Sequence, residues 1–190
     1  MKQLHTFHEV YDSQKTFRLI LEGMANPGRK LSLAETAGKL YGSSPEMLAA
    51  AMTLCDSSVS FCCVGDRELP EQIRLHTHSP QIPIDEADFL FITDPSQMEA
   101  AFSQAKCGTL ENPHASATLF IRDAGPETEK IRLSGPGING SMECAVSETA
   151  CRAVSLRDAQ QYEYPQGVDL VLIKPDGTFF CVPRLVRKEG

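Results

Sequence analysis

The stretch DFLFIT, Asp88 to Thr93, decides the fold class. Phe89, Leu90, Phe91 and Ile92 follow one another without a polar break, too uniformly apolar for a strand with one face in water. Such a strand is covered on both faces, as in sheets sandwiched between helices. The flanking sequence supplies those helices. Ser96 to Lys106 carries Met98, Ala101, Phe102 and Ala105 at helical spacing, and Gly108 breaks the pattern. Upstream, Pro70 to about His76 reads as a short helix and Val59 to Val64 as a strand. Pro45 to Asp56 reads as a longer helix with Ser44 as cap and Pro45 at its first position. Asp12 or Ser13 caps a further helix whose Phe17, Ile20, Leu21 and Met24 share one buried face, and Pro27-Gly28 ends it.

Beyond Ala115 the strands come closer together. Ala117 to Arg122 and Lys130 to Ser134 are separated by the turn formers Asp123, Gly125 and Pro126, so this half is partly antiparallel. Ser147 to about Gln160 forms the last helix. Val168 to Ile173 and Thr178 to Val182 are joined by Pro175-Asp176-Gly177, a hairpin signal. The whole predicts an α/β layered domain with a mixed sheet, one domain over the 190 residues.

Composition bounds the function. Eighteen basic and 25 acidic residues give a net charge of −7, which disfavours a non-specific grip on nucleic acid or acidic lipid. The longest apolar run, Met47 to Met52, falls far short of the ~20 residues a bilayer requires. The amino-terminal residues Lys2, His5, His8, Glu9 and Asp12 lack a secretory pattern, and seven cysteines without a C-x-x-C pair read as reduced thiols. A cytoplasmic protein is expected. Most of the cysteines are expected to act as small core hydrophobes.

Chemistry-bearing patterns are few. His76-Thr77-His78, if on a strand, points two imidazoles the same way and is the one metal-like pattern; Asp85, Glu86, Asp88 and His114 are available as further ligands. A metal-dependent hydrolase using His76 and His78 is the alternative function it implies. The competing reading hydrogen-bonds His76 in a loop and leaves His78 in water. Gly135-Pro136-Gly137-Ile138-Asn139-Gly140 satisfies G-x-G-x-x-G after a strand. Yet Pro136 has no N–H for a phosphate, and Ser141 to Val146 lacks the period of a helix that would point its dipole at one. A structural turn whose glycines let another chain approach closely is the preferred reading. Cys107 is a nucleophile only with a histidine such as His114 beside it. None of the eight lysines sits in a Schiff-base pocket context, so no cofactor is expected. Arg18, Arg74, Arg132 and Arg184 each adjoin apolar segments and either meet an anion or carboxylate or snorkel to the surface.

Several short motifs stand in order along the chain: Phe17-Arg18 with Met24-Ala25-Asn26-Pro27-Gly28; Leu75-His76-Thr77 with Pro80; and Gly108-Thr109 with Pro113 and Ala117-Thr118-Leu119. Leu133-Ser134-Gly135-Pro136-Gly137-Ile138, Pro165-Gln166-Gly167-Val168-Asp169-Leu170 and Val182-Pro183-Arg184 complete the series. Together they resemble the PhnH family of carbon–phosphorus lyase subunits. Leu185 departs from the threonine expected there, and Gly140 to Gln160 carries no family motif. The resemblance implies a fold like the large domain of pyridoxal-phosphate transferases without the cofactor. It implies an accessory, non-catalytic subunit acting with PhnG, PhnI and PhnL type proteins, which attach a phosphonate to the ribose of ATP with loss of adenine before a PhnJ type protein cleaves the carbon–phosphorus bond. It also implies a homodimer, to which Gly135, Gly137 and a hairpin around Phe179 and Phe180 would contribute. Arg18, His76, Thr109, Asp169 and Arg184 are polar among apolar neighbours and are expected to form one cluster. In that cluster Asp169 pairs with an arginine or with His76, either stabilising the hairpin or lining a groove at a subunit contact.

Overall fold

The computed structural model describes residues 5–189. In chain order its helices are α1 (Tyr11–Ala25), α2 (Ala34–Ala37), α3 (Pro45–Leu54), α4 (Leu69–Thr77), α5 (Met98–Gln104) and α6 (Glu148–Ala159). Its strands are β1 (Leu31–Ser32), β2 (Phe61–Val64), β3 (Phe89–Ile92), β4 (Thr118–Arg122), β5 (Glu129–Ser134), β6 (Ser141–Val146), β7 (Asp169–Ile173), β8 (Thr178–Val182) and β9 (Arg187–Glu189). A mixed six-stranded sheet runs β1-β8-β7-β4-β3-β2, with β2, β3, β4 and β7 parallel and β8 and β1 antiparallel. A second sheet, β6-β5-β9, is antiparallel throughout.

The DFLFIT strand lies between two parallel neighbours, Phe89 in register with Phe61 and Thr118, and Ile92 with Val64 and Ile121. Both of its faces are covered. Leu90 and Ile92 join Leu119, Ile121, Leu170 and Leu172 against α5, α6 and the second sheet. Phe91 points the other way, stacks on Phe120 with ring centroids 5.1 Å apart, and joins Val171 and Ile173 beneath α1, α3 and α4. Asp88 opens the strand as an acceptor: its Oδ2 takes the Ser60 N–H and hydroxyl at 2.7 Å, and Lys106 pairs with Oδ1 at 2.5 Å.

Three expectations need correction. In α1 the buried face is Asp12, Thr16, Ile20 and Gly23, whereas Phe17 and Leu21 stand in water at 48% and 56% exposure. Polar residues take the inner face because each has a partner there. Lys39 pairs with Asp12, the Asp12 carboxylate accepts the His8 N–H, and Thr16 donates to the Thr36 hydroxyl. The residue before the helix is Val10, and neither Asp12 nor Ser13 caps it. Secondly, His76-Thr77-His78 is the end of α4 rather than a strand, and His78 closes that helix in the left-handed region at φ 59°. The imidazoles therefore lack the shared face that a common metal ion requires. Thirdly, Ser141 to Val146 is a strand, and Gly135 to Gly140 is the loop of the β5–β6 hairpin, with Ser134 opposite Ser141. No helix follows those glycines to receive a pyrophosphate.

The expected helix of Ser147 to Gln160 is present, and its cap is doubly tied: Ser147 Oγ accepts the Ala150 N–H at 3.0 Å and donates to Asp123. Among the described residues no helix is long and apolar enough to cross a membrane.

Candidate functional site

The four parallel strands define two ends of the sheet, and the motif residues gather at the end where those strands begin. Asp169 opens β7. Its Oδ1 accepts the Arg184 backbone N–H (2.8 Å) and Nε (3.3 Å), and its Oδ2 accepts Nη2 (2.6 Å). Arg184 Nη1 donates to the Pro113 carbonyl in the segment leading into β4. A charge-assisted, two-pronged pair thus joins the β8 exit to the β7 entrance and the β4 approach. Gly167 donates to Cys107 O at 3.0 Å and Gln166 Nε2 to Gly108 O at 2.9 Å, tying the β7 approach to the same region. Thr109, exposed beside it, shapes the loop by accepting the Asn112 N–H at 2.9 Å.

Over this pair lies a groove of about 550 Å³, a size suited to a ligand or an inserted side chain. Its walls are largely apolar: Pro113, Pro136, Pro165 and Pro183 with Met24, Ala25 and Leu185, and His114 at its edge. The Gly135-Pro136-Gly137 turn forms one wall by wedging between two parts of the chain. A Cβ on Gly135 (φ +136°) would come within 2.7 Å of Leu185 O, and one on Gly137 (φ +88°) within 2.8 Å of Ala25 O. The glycines make a close approach within the subunit, so a bulky residue at Gly137 would disturb the monomer itself rather than leave its circular dichroism unchanged.

The strap carrying Arg184 is held from inside by a residue that sequence reading missed. Arg157 of α6 is fully buried and donates Nη1 to Val182 O and Pro183 O, both 3.0 Å, and Nη2 to Val186 O at 2.5 Å. Burial lowers its pKa, and the neighbouring Asp158 carboxylate, 2.8 Å from Nη2, acts the other way. Asp158 Oδ2 also accepts the Lys188 N–H at 2.8 Å, which extends the clamp into β9.

At the opposite end the space beyond the strands is filled by the protein's own groups. Arg122, closing β4, donates to Ser43 O (3.2 Å) and Ser44 Oγ (3.4 Å) and lies 3.6 Å from Glu46. Glu46 is 1% exposed and neither carboxylate oxygen has a hydrogen-bond partner among the described residues, so desolvation pushes its pKa up. Asp66 accepts from the Ser43 and Ser44 hydroxyls and the Glu68 and Leu69 N–H groups, locking the loop before α3 onto the turn after β2.

Comparison with known proteins agrees with the motifs gathered around the groove. The family profile described as "Bacterial phosphonate metabolism protein (PhnH)" matches residues 5–189. The chain belongs to the PhnH family. It is 28% identical over 187 residues to the alpha-D-ribose 1-methylphosphonate 5-triphosphate synthase subunit PhnH of Rhizobium meliloti, covering 95% of this chain and 92% of that one. It is also 28% identical over 165 residues to HtxG of Stutzerimonas stutzeri, named as a C-P lyase subunit protein, covering 84% and 77%.

Of the residues singled out from sequence, the chain brings Asp169, Arg184 and Gly137 to the groove, Gly135 to the turn packed against Leu185 and Val186, and Thr109 to the adjoining loop. Arg18 and His76 lie apart, so the single cluster does not form. Arg18 is exposed on α1. His76, exposed at the end of α4, stacks edge-on against His5 at 4.9 Å, and desolvation, with His5 adding to it, lowers its pKa. Arg74 and Arg132 are exposed as well. The Cys107 thiol meets the Gly108 carbonyl at 3.6 Å, and no hydrogen bond joins it to His114 among the described residues. No group of three or more His, Cys, Asp or Glu among the described residues is arranged to hold a metal ion. Phe179 and Phe180, expected at a subunit contact, are 1% and 6% exposed and belong to the core.

Proposed function

We propose that the chain is an accessory, non-catalytic subunit of a carbon–phosphorus lyase system, supporting transfer of a phosphonate to the ribose of ATP with loss of adenine. The observation that carries this reading is the family match over residues 5–189, together with relatives named as a ribose 1-methylphosphonate 5-triphosphate synthase subunit and a C-P lyase subunit protein. The site's chemistry supports it. Asp169 and Arg184, the charged pair of the groove, are spent on each other, so the Asp169 carboxylate is held as a structural partner rather than as a base. Such a pair suits a scaffold that shapes a contact surface. The stand-alone hydrolase reading lacks support, because its two histidines end a helix and belong to no group of three or more ligands arranged to hold a metal ion among the described residues.

On this reading the chain works as one cytoplasmic domain with PhnG, PhnI, PhnJ and PhnL type partners. Helices on both sides of the mixed sheet support the likeness to a pyridoxal-phosphate transferase large domain, and the reading assigns the chain no cofactor. The reading includes a homodimer, whose contact lies outside the buried hairpin and is tested by light scattering; a stable one buries ~1,200 Å² or more. The decisive experiment tags the protein and produces it with its co-encoded phosphonate proteins. Co-purification with those proteins, and loss of growth on methylphosphonate when the gene is deleted, are the expected results. A protein that elutes alone and is dispensable for that growth refutes the assignment.

A further inference from the structure

The two sheets end in four edge strands, and three of them are protected against pairing with another chain. β1 has two residues, and β9 has three, Arg187, Lys188 and Glu189, all of them charged. β2 has four and is already bridged through Phe61 to Gln81: Phe61 donates its N–H to Pro80 O and accepts the Ile82 N–H, both at 3.0 Å. Short length, charge and a covering segment are the usual means by which a sheet edge is blunted. β6 differs. It runs for six residues without a proline or a bulge, and Glu143 is its one charged residue. Alternate residues of an edge strand point N–H and C=O away from the sheet, and among the described residues none of these outward groups of β6 has a hydrogen-bond partner.

The side chains of β6 fix how another strand could join it. Ser141, Glu143 and Ala145 are exposed on one face, while Met142, Cys144 and Val146 pack toward the core on the other. A joining strand must keep its core residues on the core face, because a slip of one residue turns them into solvent. For a second copy running antiparallel, the registers that keep the faces and overlap most fully are centred on Glu143 or on Cys144. Centring on Glu143 sets two carboxylates directly opposite each other, which opposes pairing. Centring on Cys144 sets Glu143 opposite the small Ala145 of the second copy and Met142 opposite its Val146.

We propose that β6 is the homodimer contact: two copies pair their β6 strands antiparallel about a two-fold axis at Cys144, joining their second sheets into one continuous sheet. This deepens the homodimer reading and rests on it. Arg132 stands opposite Glu143 within each chain, and Lys130 opposite Ala145. Across the contact the exposed row therefore reads Arg132 and Glu143 of one chain, then Ala145 and Lys130 of the second copy. A basic residue stands at either end and no like charges are opposed.

The test uses the full chain, with light scattering and hydrogen exchange over a range of concentrations. In the parent, outward amides between Met142 and Val146 are expected to exchange about tenfold more slowly as the dimer forms, while those of β9 stay unchanged. Ala145→Glu places a carboxylate opposite Glu143 of the second copy, twice by symmetry, and is expected to weaken the dimer about tenfold. Ala145→Ser should match the parent. Adding Glu143→Lys to Ala145→Glu sets opposite charges across the same pair and should recover the dimer. Both positions are exposed, and melting curves matching the parent establish that each variant folds. A parent dimer whose β6 amides exchange as in the monomer, or that Ala145→Glu does not weaken, overturns the β6 contact and leaves the homodimer reading standing. A parent that is monomeric at every accessible concentration refutes both. If Ala145→Glu leaves the dimer intact and instead weakens capture of the co-encoded phosphonate proteins, β6 receives a strand of another subunit and self-pairing is overturned.

Discussion

The two ends of the parallel strands have opposite fates in this protein. Open α/β sheets hold ligands beyond the carboxyl ends of their strands, where helix amino termini and loops converge. Here that end is occupied from within by Arg122, Ser43, Ser44 and Glu46, by the Asp66 turn, and by Asp123 with Ser147. The other end, where the strands begin, is open. It presents the Asp169–Arg184 pair beneath an apolar groove and adjoins the outer face of α1. Sharing a layered α/β architecture with enzymes therefore says little about where this chain works. Its family motifs follow the open end: Met24 to Gly28, Gly135 to Ile138, Pro165 to Leu170 and Val182 to Arg184 all lie around the groove.

Removing the clamp behind the open end should have the largest effect. Arg157→Met leaves the Val182, Pro183 and Val186 carbonyls without their buried donor and should cost about 3–5 kcal/mol, read as a lower denaturant midpoint. If the variant melts with the parent, the strap is held by other contacts. Gly137→Val comes next. The left-handed backbone and the 2.8 Å approach to Ala25 O should cost about 2–3 kcal/mol in the isolated chain at any concentration. A loss that appears only on dilution would instead indicate a subunit contact at this turn.

Much of the open end could be read from the chain, and the reason is local. DFLFIT has one structural solution, a strand covered on both faces, and Pro175-Asp176-Gly177 allows little besides the β7–β8 turn. The errors arose where tertiary partners overrode local pattern. Phe17 and Leu21 fit a buried helical face as well as Thr16 and Ile20 do, and only the pairing of Asp12 with Lys39 and Thr16 with Thr36 selects the polar side for the interior. The strand Ser141 to Val146 carries Glu143 and Ala145 on its exposed face and has too few large apolar residues to stand out. Arg157 left no local signal, because the carbonyls it satisfies lie 25 to 29 residues further along the chain. Asp169 and Arg184 could each be picked out, but sequence left Asp169's partner open between an arginine and His76.

Smaller effects separate the two ends more finely. Arg184→Gln should cost about 1–2 kcal/mol, because the pair is only partly exposed and removing one member strands Asp169, while the effect on assembly should be larger. At the closed end Glu46→Gln should be neutral or stabilising by up to about 1 kcal/mol near pH 8. The sign follows from burial. A carboxyl whose folded pKa is raised stabilises fully below its unfolded value, near pH 4, and that contribution is lost as pH rises through the folded pKa. The benefit of glutamine should therefore vanish in acid and grow toward neutral pH. A loss of stability in Glu46→Gln that grows toward neutral pH would instead mean that Glu46 is ionised and held by a donor in solution.

The claim that the open end is the working end is tested most directly by complementation of a deletion strain on methylphosphonate. Arg184→Gln and Arg122→Gln, produced at matched levels and checked for folding, change one arginine at each end. The account predicts that Arg184→Gln abolishes or sharply slows growth and recovers little complex, while Arg122→Gln grows like the parent. Normal growth with Arg184→Gln alongside failure with Arg122→Gln would contradict it and move the working site to the closed end.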